Sequence, residues 1–284
     1  MITGVNPAGN PTRLSLTSLL PYTQPNLEDP MHRSLTCLLA LTCSLATAQT
    51  GEEIMRKADK ANRSRDERSV IEMILEAKNG QRQQRSLEVL GATDQDGDDD
   101  KALMRFLTPP KIRGTAVLTV EKTGSPDDQH IYLPALKKSK RVASGQRTNR
   151  FAGTDFTFED LRSENFEEYT YKRLDDAKDG DRDCWVVEAT AKPDTESGYS
   201  KRILWVDKER LTIPRTEFYN MRGEKQKTLR LLDFNKEEGL WRSRGSIMED
   251  HLRGSKTVWR TKEREINPGL DDNVFTTRSL ERGA

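Results

Sequence analysis

The chain has 284 residues, which is enough for one domain with a sizeable hydrophobic core. Its 47 basic and 46 acidic side chains give a formal net charge of +1, and this balance gives no support for a nucleic-acid-binding protein. It contains three cysteines. Two of them fall in an N-terminal segment that we expect to be removed, so no internal disulfide is predicted, and Cys184 is expected to be a packed thiol in a buried strand.

An export signal is predicted at residues 31–48, which read MHRSLTCLLALTCSLATA. A short basic start precedes an apolar run of about a dozen residues and an A-x-A sequence, as in a cleaved secretory signal peptide. The run is too short to cross a bilayer as a helix, and a buried helix is the alternative interpretation. We expect cleavage between Ala48 and Gln49, leaving a single β domain at residues 49–284.

Residues 1–30 do not fit in front of a signal peptide. They are rich in Pro, Asn and Thr and show no hydrophobic periodicity. We interpret them as a non-native leader upstream of a true start at Met31, and the alternative is a disordered leader.

The first element predicted after the signal is an amphipathic helix at about residues 51–64. Thr50 and Glu53 have the spacing of a capping box, in which a hydroxyl and a carboxylate each satisfy a free backbone amide. The apolar residues that follow at helical spacing are Ile54, Ala58 and Ala61.

Almost everything after this helix is predicted to be β-strand. The predicted strands are 69–77, 85–90, 101–107, 115–121, 130–133, 184–191, 200–206, 214–221, 227–234, 240–249 and 255–266. Turn sequences such as Asn79-Gly80 separate many of them. This regular spacing predicts an antiparallel meander.

Charged and apolar residues alternate along several of these strands, so one face of the sheet must be solvated. The other face must be covered, yet the sequence offers one clear helix and a weaker signal for a short second one near 160–164. A strongly curved sheet wrapped around this small helix would enclose an apolar concavity. The fold class is therefore expected to be mainly β, a half-open antiparallel barrel with one or a few covering α-helices, and the concavity would suit an apolar ligand.

Motifs for catalysis or metal binding are not found. The acidic run at 94–100 has its glycine at the wrong position for an EF-hand loop and is interpreted as an acidic hairpin. His130 and His251 lie in separate segments, and no zinc motif or nucleophile elbow occurs. We expect no catalytic residue, no bound metal and no cofactor.

The stretch 147–161, RTNRFAGTDFTFEDL, is unusually rich in both aromatic and acidic residues. Its carboxylates could form an acid/base pair, but no histidine or nucleophile accompanies them. The commoner interpretation is that Asp160 caps a short helix and that the phenylalanines close the end of a sheet.

Three segments of the chain resemble the LolA-like outer membrane lipoprotein-sorting protein family. They are IYLPALKKSKRV (131–142), RFAGTDFTFED (150–160) and INPGLDDNVF (266–275) with Leu280 shortly after. The resemblance implies a periplasmic half-open β-barrel with helices covering its mouth. It also implies a carrier of lipid or lipoprotein acyl chains, often working beside an RND-type inner-membrane exporter.

The leading hypothesis is a non-enzymatic carrier in which stretch 147–161 is a flap at the barrel mouth. Its aromatic residues would touch cargo or seal the barrel, and the basic run 137–141 would meet lipid headgroups or a partner, or be a solvated strand face. The expected acyl-chain contacts are Leu133, Phe151, Phe156, Phe158 and Trp205. The alternatives are an interaction module that docks on an RND-type exporter and carries nothing, and a hydrolase of lipid-like substrates.

Overall fold

The computed structural model describes residues 49–93, 99–122, 124–125 and 127–282. The expected leader and signal peptide, and most of the acidic run at 94–100, lie outside the described residues.

Two α-helices and fourteen β-strands follow one another along the described chain. In order they are α1 (Gly51–Ala61), β1 (Asp66–Glu76), β2 (Arg82–Thr93), β3 (Asp100–Thr108), β4 (Ala116–Val120), β5 (Asp128–Leu133), β6 (Lys138–Arg141), β7 (Tyr169–Arg173), β8 (Ala177–Asp179), β9 (Arg182–Ala191), β10 (Tyr199–Asp207), β11 (Arg215–Asn220), β12 (Lys225–Glu237), β13 (Leu240–Asp250), β14 (Ser255–Ile266) and α2 (Thr277–Arg282).

All fourteen strands belong to one antiparallel sheet in the order β6-β5-β4-β3-β2-β1-β14-β13-β12-β11-β10-β9-β7, with β8 also paired to β9. Consecutive strands pair with each other, except β6 with β7 and β7 with β8. Two further pairings join strands that are not consecutive, β1 with β14 and β7 with β9. The sheet begins at β6 and ends at β7, so it is not closed into a barrel. The expected mainly β, half-open architecture is confirmed.

Each of the eleven predicted strands is present; the last has the predicted bounds, and the others have one or both ends moved by a few residues. Strands β6, β7 and β8, which have three to five residues each, were not predicted. Strand β6 is formed by the last four residues of the basic run 137–141, and such a short Lys-rich strand is typical of a sheet edge, where charge discourages pairing with other chains. The expected short helix near 160–164 is a single 3₁₀ turn at Glu159–Leu161.

Helix α1 begins with the predicted capping box, in which the Glu53 amide donates to the Thr50 hydroxyl and the Thr50 amide donates to the Glu53 carboxylate. It ends at Ala61, earlier than predicted. The reason is tertiary, because the Asn62 side-chain amide donates to the carbonyl of Arg210 at 2.9 Å instead of facing solvent. Neither α-helix in the described residues is long and apolar enough to span a membrane.

The inner face of the sheet is the face that α1 covers. Residues Ile54, Met55 and Ala58 of the helix pack on Leu204 and Val206 of β10. The start of the helix lies so close to β7 that a Cβ atom on Gly51 would come within 2.9 Å of the strand backbone. Only glycine fits at that contact.

The outer face is covered on one side by the C-terminal segment. Phe275 and Leu280 pack on Leu103, Leu118 and neighbouring residues of β3–β5. Arg105 of β3 also donates to the Ser279 carbonyl at 3.2 Å. The chain end therefore shields strands whose outer positions are apolar.

Candidate functional site

The aromatic and acidic stretch 147–161, which we call the plug segment, lies against the inner face of the sheet. Its apolar side chains Phe151, Phe156, Phe158 and Leu161 share one core cluster with inner-face residues of seven strands. The inner-face members are Ile71, Met73, Leu87, Phe106, Val117, Tyr199, Phe218 and Met248. The plug segment therefore fills much of the concavity that the sequence predicted.

The three phenylalanines of the plug segment are packed in aromatic pairs. Phe151 is fully buried and stacks on Phe106 of β3 with ring centroids 5.4 Å apart. Its other ring neighbour is Phe158, at 5.8 Å. Phe156 meets Trp259 of β14 at 4.7 Å. In this conformation the phenylalanines seal the concave face.

One carboxylate of the plug segment anchors it to β14. Asp155 accepts hydrogen bonds from the hydroxyls of Ser255 at 2.6 Å and Thr257 at 2.8 Å. The Arg150 guanidinium pairs with the same carboxylate at 2.8 Å. In addition, the Asp155 amide donates to the Thr257 hydroxyl at 2.9 Å. Main chain and side chain are thus fixed at the same point.

A second carboxylate makes a buried ion pair with β12. The Lys227 ammonium lies 3.0 Å from Asp160, and both side chains are almost fully buried. The Tyr199 hydroxyl donates to Asp160 at 2.8 Å, as does the Thr157 amide at 2.7 Å. Burial and the adjacent Asp160 carboxylate raise the pKa of Tyr199 well above its ordinary value, so its hydroxyl stays protonated and can donate. Asp160 was expected to cap a short helix, but it lies inside the 3₁₀ turn Glu159–Leu161, whose N-cap is Phe158. The structure gives Asp160 an anchoring role instead.

The third carboxylate, Glu159, holds the loop that leads into β10. It accepts hydrogen bonds from the Gly198 amide at 2.8 Å, from the Tyr169 hydroxyl at 3.2 Å and from the Ser197 hydroxyl. All three acidic side chains of the plug segment therefore bind fixed partners on the sheet. This arrangement supports an anchoring role for them rather than an acid/base pair.

Beside the plug segment, the concave face retains a cavity of about 270 Å³, which we call the inner cavity. This is slightly below the usual range for small-molecule sites. Its apolar wall is formed by Leu204, Ile213, Phe218, Leu229, Leu231 and Met248. The plug segment contributes Glu159 and Asp160 to its opposite side.

A charged group lies at one side of the inner cavity. Arg202 pairs with Glu164 at 2.8 Å, and its guanidinium lies 4.1 Å from the ring centroid of Tyr169. A cation–π contact of this kind adds to the ion pair and fixes the guanidinium. The cavity is therefore apolar along the strands and charged where the plug segment ends.

A second cavity, of about 280 Å³, also lies near the C-terminal end of the plug segment and includes Leu161, Ser163 and Glu121 in its lining. Glu121 accepts a hydrogen bond from the Ser163 amide at 2.9 Å. Burial, helped by the nearby Asp100 carboxylate, raises the pKa of Glu121 to about 7. This side chain can therefore change its charge near neutral pH.

The structure brings together some of the expected acyl-chain contacts and separates others. Phe151, Phe156 and Phe158 form one cluster. Leu133 is half-buried at the end of β5, two residues after Ile131, which packs on that cluster. Trp205 lies on the outer face, because strand neighbours alternate and Leu204 faces the helix.

Trp205 also has a partner of its own on the outer face. The Arg215 guanidinium lies 4.1 Å from its ring centroid. The inner-cavity residues Leu229 and Leu231 were not predicted as contacts. Strand alternation could have grouped them, but it could not say which face was inner.

The remaining candidate reactive groups, Cys184 and His251, are a buried thiol and a hydrogen-bonded imidazole. Cys184 is fully buried, as expected of a packed thiol, and burial raises its pKa to about 11. His251 hydrogen-bonds the Thr228 hydroxyl at 2.8 Å. Within residues 49–93, 99–122, 124–125 and 127–282, no group of three or more His, Cys, Asp or Glu side chains is placed to hold a metal ion.

An open antiparallel sheet with a helix on its concave face defines the class of LolA-like half-barrels. A LolA superfamily protein from Nitrosomonas europaea shares this fold, with a TM-score of 0.64 and 23% identity over 81% of this chain and 98% of its own. A DUF1329 family protein from Desulfovibrio piger aligns with a TM-score of 0.76 and 26% identity, covering 81% of this chain and 97% of its own.

The family of this chain is assigned from a solved structure that is more similar to it in sequence. An outer membrane lipoprotein-sorting protein domain from Vibrio parahaemolyticus is 32% identical, covers 82% of this chain and 98% of its own, and has a TM-score of 0.77. The chain belongs to this outer membrane lipoprotein-sorting protein family. A family model described as an uncharacterized protein matches residues 98–282. No curated protein matches the chain significantly.

Proposed function

We propose that the protein is a non-enzymatic periplasmic carrier, which binds lipid or lipoprotein acyl chains on the inner face of its sheet and helps to move them towards the outer membrane. The observation that carries this proposal is the inner cavity, a space with an apolar strand wall on the concave face of a lipoprotein-sorting family member. Export by the signal at residues 31–48, with cleavage after Ala48, belongs to the same proposal.

Burial of the acyl chain supplies the affinity in this proposal. Each methylene removed from water contributes about 0.8 kcal/mol. A cavity of about 270 Å³ holds only part of a long chain, so full loading requires the plug segment to move aside. The phenylalanines of the plug segment and Leu133 then become contacts, because an acyl chain would replace the packing that they make with the sheet.

The contacts that anchor the plug segment are compatible with its replacement by an acyl chain. They are hydrogen bonds and ion pairs to β10, β12 and β14, and an acyl chain that displaced the segment would leave their polar groups to be satisfied by water. Loading would therefore shift an equilibrium between a sealed and an open concavity, in proportion to the affinity of the cargo for the open form.

A second candidate function is a periplasmic interaction module that docks on a partner, such as an RND-type exporter, without carrying cargo. The plug segment favours it, because the protein already fills its own concave face with Phe151 and its neighbours. A docking module of this kind would not require the plug segment to move away from the sheet.

The two functions are separated by native mass spectrometry of the protein purified from the periplasm, followed by solvent extraction and lipid analysis. A stoichiometric lipid or acylated protein is the result expected of a carrier and would identify the cargo. A clean mass with no uptake of an added fluorescent acyl probe would favour the docking module, and pull-downs against inner-membrane exporters would follow.

A further inference from the structure

One end of the sheet is formed by a row of hairpin turns. Because the strands are antiparallel and paired in chain order, the turns that follow β1, β3, β5, β11 and β13 all lie at the same end. We call the turn residues 77–81, 109–115, 134–137, 221–224 and 251–254 the hairpin rim. The loop 192–198 between β9 and β10 lies at this end too and carries Asp194 and Glu196.

The large apolar side chains that are exposed in the described part of the chain are all in this rim. They are Leu136, Met221 and Leu252, with exposed fractions of 52%, 69% and 54%. Each stands in a different turn. Exposed apolar residues scattered singly are normal, but these three share one end of the sheet.

The rim is also basic. Its exposed cations are Lys78, Lys111, Arg113, Lys137, Arg222 and Arg253. The single carboxylate within the five turns is Glu224, which pairs with Arg222 at 3.2 Å. The turns at the opposite end carry the exposed carboxylates Asp181, Glu209, Glu238, Asp271 and Asp272, beside the exposed cations Arg65 and Lys122. The two ends therefore differ in charge.

The turns of the rim are held in place by the sheet. Gly254 has a φ of +67°, and a Cβ atom there would lie 3.2 Å from the side chain of Lys78 in the neighbouring turn. Lys137 next to Leu136 has a φ of 48° and closes a 3₁₀ turn. The apolar tips and their cations are therefore presented from fixed hairpins.

We propose that the hairpin rim is a docking surface for an anionic lipid bilayer. Anionic headgroups attract clustered Lys and Arg side chains within about a Debye length of the membrane. Apolar side chains flanked by such cations enter the boundary between headgroups and acyl chains. The rim turns present both features together, with Asp194 and Glu196 in the adjoining loop, whereas the described residues of the opposite end include no exposed large apolar side chain and more exposed carboxylates than cations. This inference does not require acyl-chain binding in the concavity.

The test uses protein purified from the full-length gene product and sedimentation with vesicles of phosphatidylcholine, with or without about a third of phosphatidylglycerol. Binding is expected only with the anionic vesicles and should weaken steeply as salt rises. The triple variant Lys111→Glu, Arg222→Glu and Arg253→Glu should bind about 100-fold less tightly. The triple variant Leu136→Ser, Met221→Ser and Leu252→Ser should lose about 10-fold or more.

The matched control is Lys60→Glu, Lys178→Glu and Lys236→Glu, which makes the same charge change at exposed positions outside the rim. It should keep most of the binding. The proposal is overturned if wild-type protein ignores anionic vesicles, or if the control lowers binding as much as the rim variants do. Binding of a fluorescent acyl probe in solution tests the carrier separately, so the two proposals fail independently.

Discussion

The ammonium of Lys227 and the carboxylate of Asp160 meet at 3.0 Å in the interior, one from the middle of the sheet and one from the plug segment. Taking both charges out of water costs several kcal/mol, and their attraction returns this only when further hydrogen bonds complete the site. Tyr199 and the Thr157 amide supply those bonds. The pair therefore fixes where the plug segment sits more than it adds to net stability.

Replacing one member of this ion pair should strongly destabilise the folded protein. Lys227→Met leaves the buried Asp160 without its counter-charge, and we expect a loss of about 3–5 kcal/mol in the free energy of unfolding. Urea denaturation measures it. Combining Lys227→Met with Asp160→Asn should recover a large part of the loss, because no unpaired charge remains. A loss below about 1 kcal/mol in the single variant would contradict the buried pair.

Weakening the Asp155 anchor should favour the open concavity. Thr257→Val keeps the shape of the side chain but removes a hydroxyl that both donates to and accepts from Asp155. We expect a loss of about 1–3 kcal/mol in unfolding free energy, together with tighter binding of a fluorescent acyl probe. The control is Thr170→Val at an exposed position of β7. Unchanged or weaker probe binding in folded Thr257→Val protein would argue against the plug segment as a competitor of cargo.

The wall of the inner cavity should matter more for the acyl probe than the outer face does. Leu231→Gln places an amide in the apolar wall, and we expect about 10-fold weaker binding, since more than 1 kcal/mol of apolar contact is lost. Leu232→Gln changes the next residue, on the opposite face, and should leave binding unchanged. Trp205→Ala should also leave it unchanged. Equal effects at Leu231 and Leu232 would place the acyl chain elsewhere.

Stability should depend on pH through Glu121. Its pKa is about 7 in the folded protein, above the ordinary value of 4.5, so folding favours the protonated form. The stabilisation is complete below the ordinary pKa and is lost as pH rises towards 7. We expect the free energy of unfolding to fall by about 1–3 kcal/mol between pH 5 and pH 8 from this group.

The variant Glu121→Gln checks this assignment, because it keeps one oxygen acceptor for the Ser163 amide and cannot ionise. Urea denaturation at pH 5 and pH 8 should show a smaller decrease for this variant than for the wild type. Glu238→Gln, at an exposed turn, serves as the charge-matched control. If both variants keep the wild-type pH dependence, a different group is responsible.

Local sequence signals determined most of the secondary structure. The capping box at Thr50 and Glu53 fixed the start of α1, and alternation with turn residues located eleven strands, including Ser255–Ile266 with the observed bounds. These signals work because capping, alternation and turn chemistry depend on residues a few positions apart. Strands β6 and β8, with four and three residues, are too short to show alternation.

Long-range contacts decided what the sequence left open. The pairing of β1 with β14 joins residues about 190 positions apart, and no local pattern specifies it. No local pattern specifies which face of the sheet is the inner one either. Leu204 and Trp205 are both apolar, and only the packing of α1 on Leu204 shows that Leu204 faces inward. The stretch 147–161 was recognisable as unusual from its composition. Its place inside the concavity, with Asp160 beside Lys227, required the fold, because burial of a charge depends on the partner that tertiary structure brings to it.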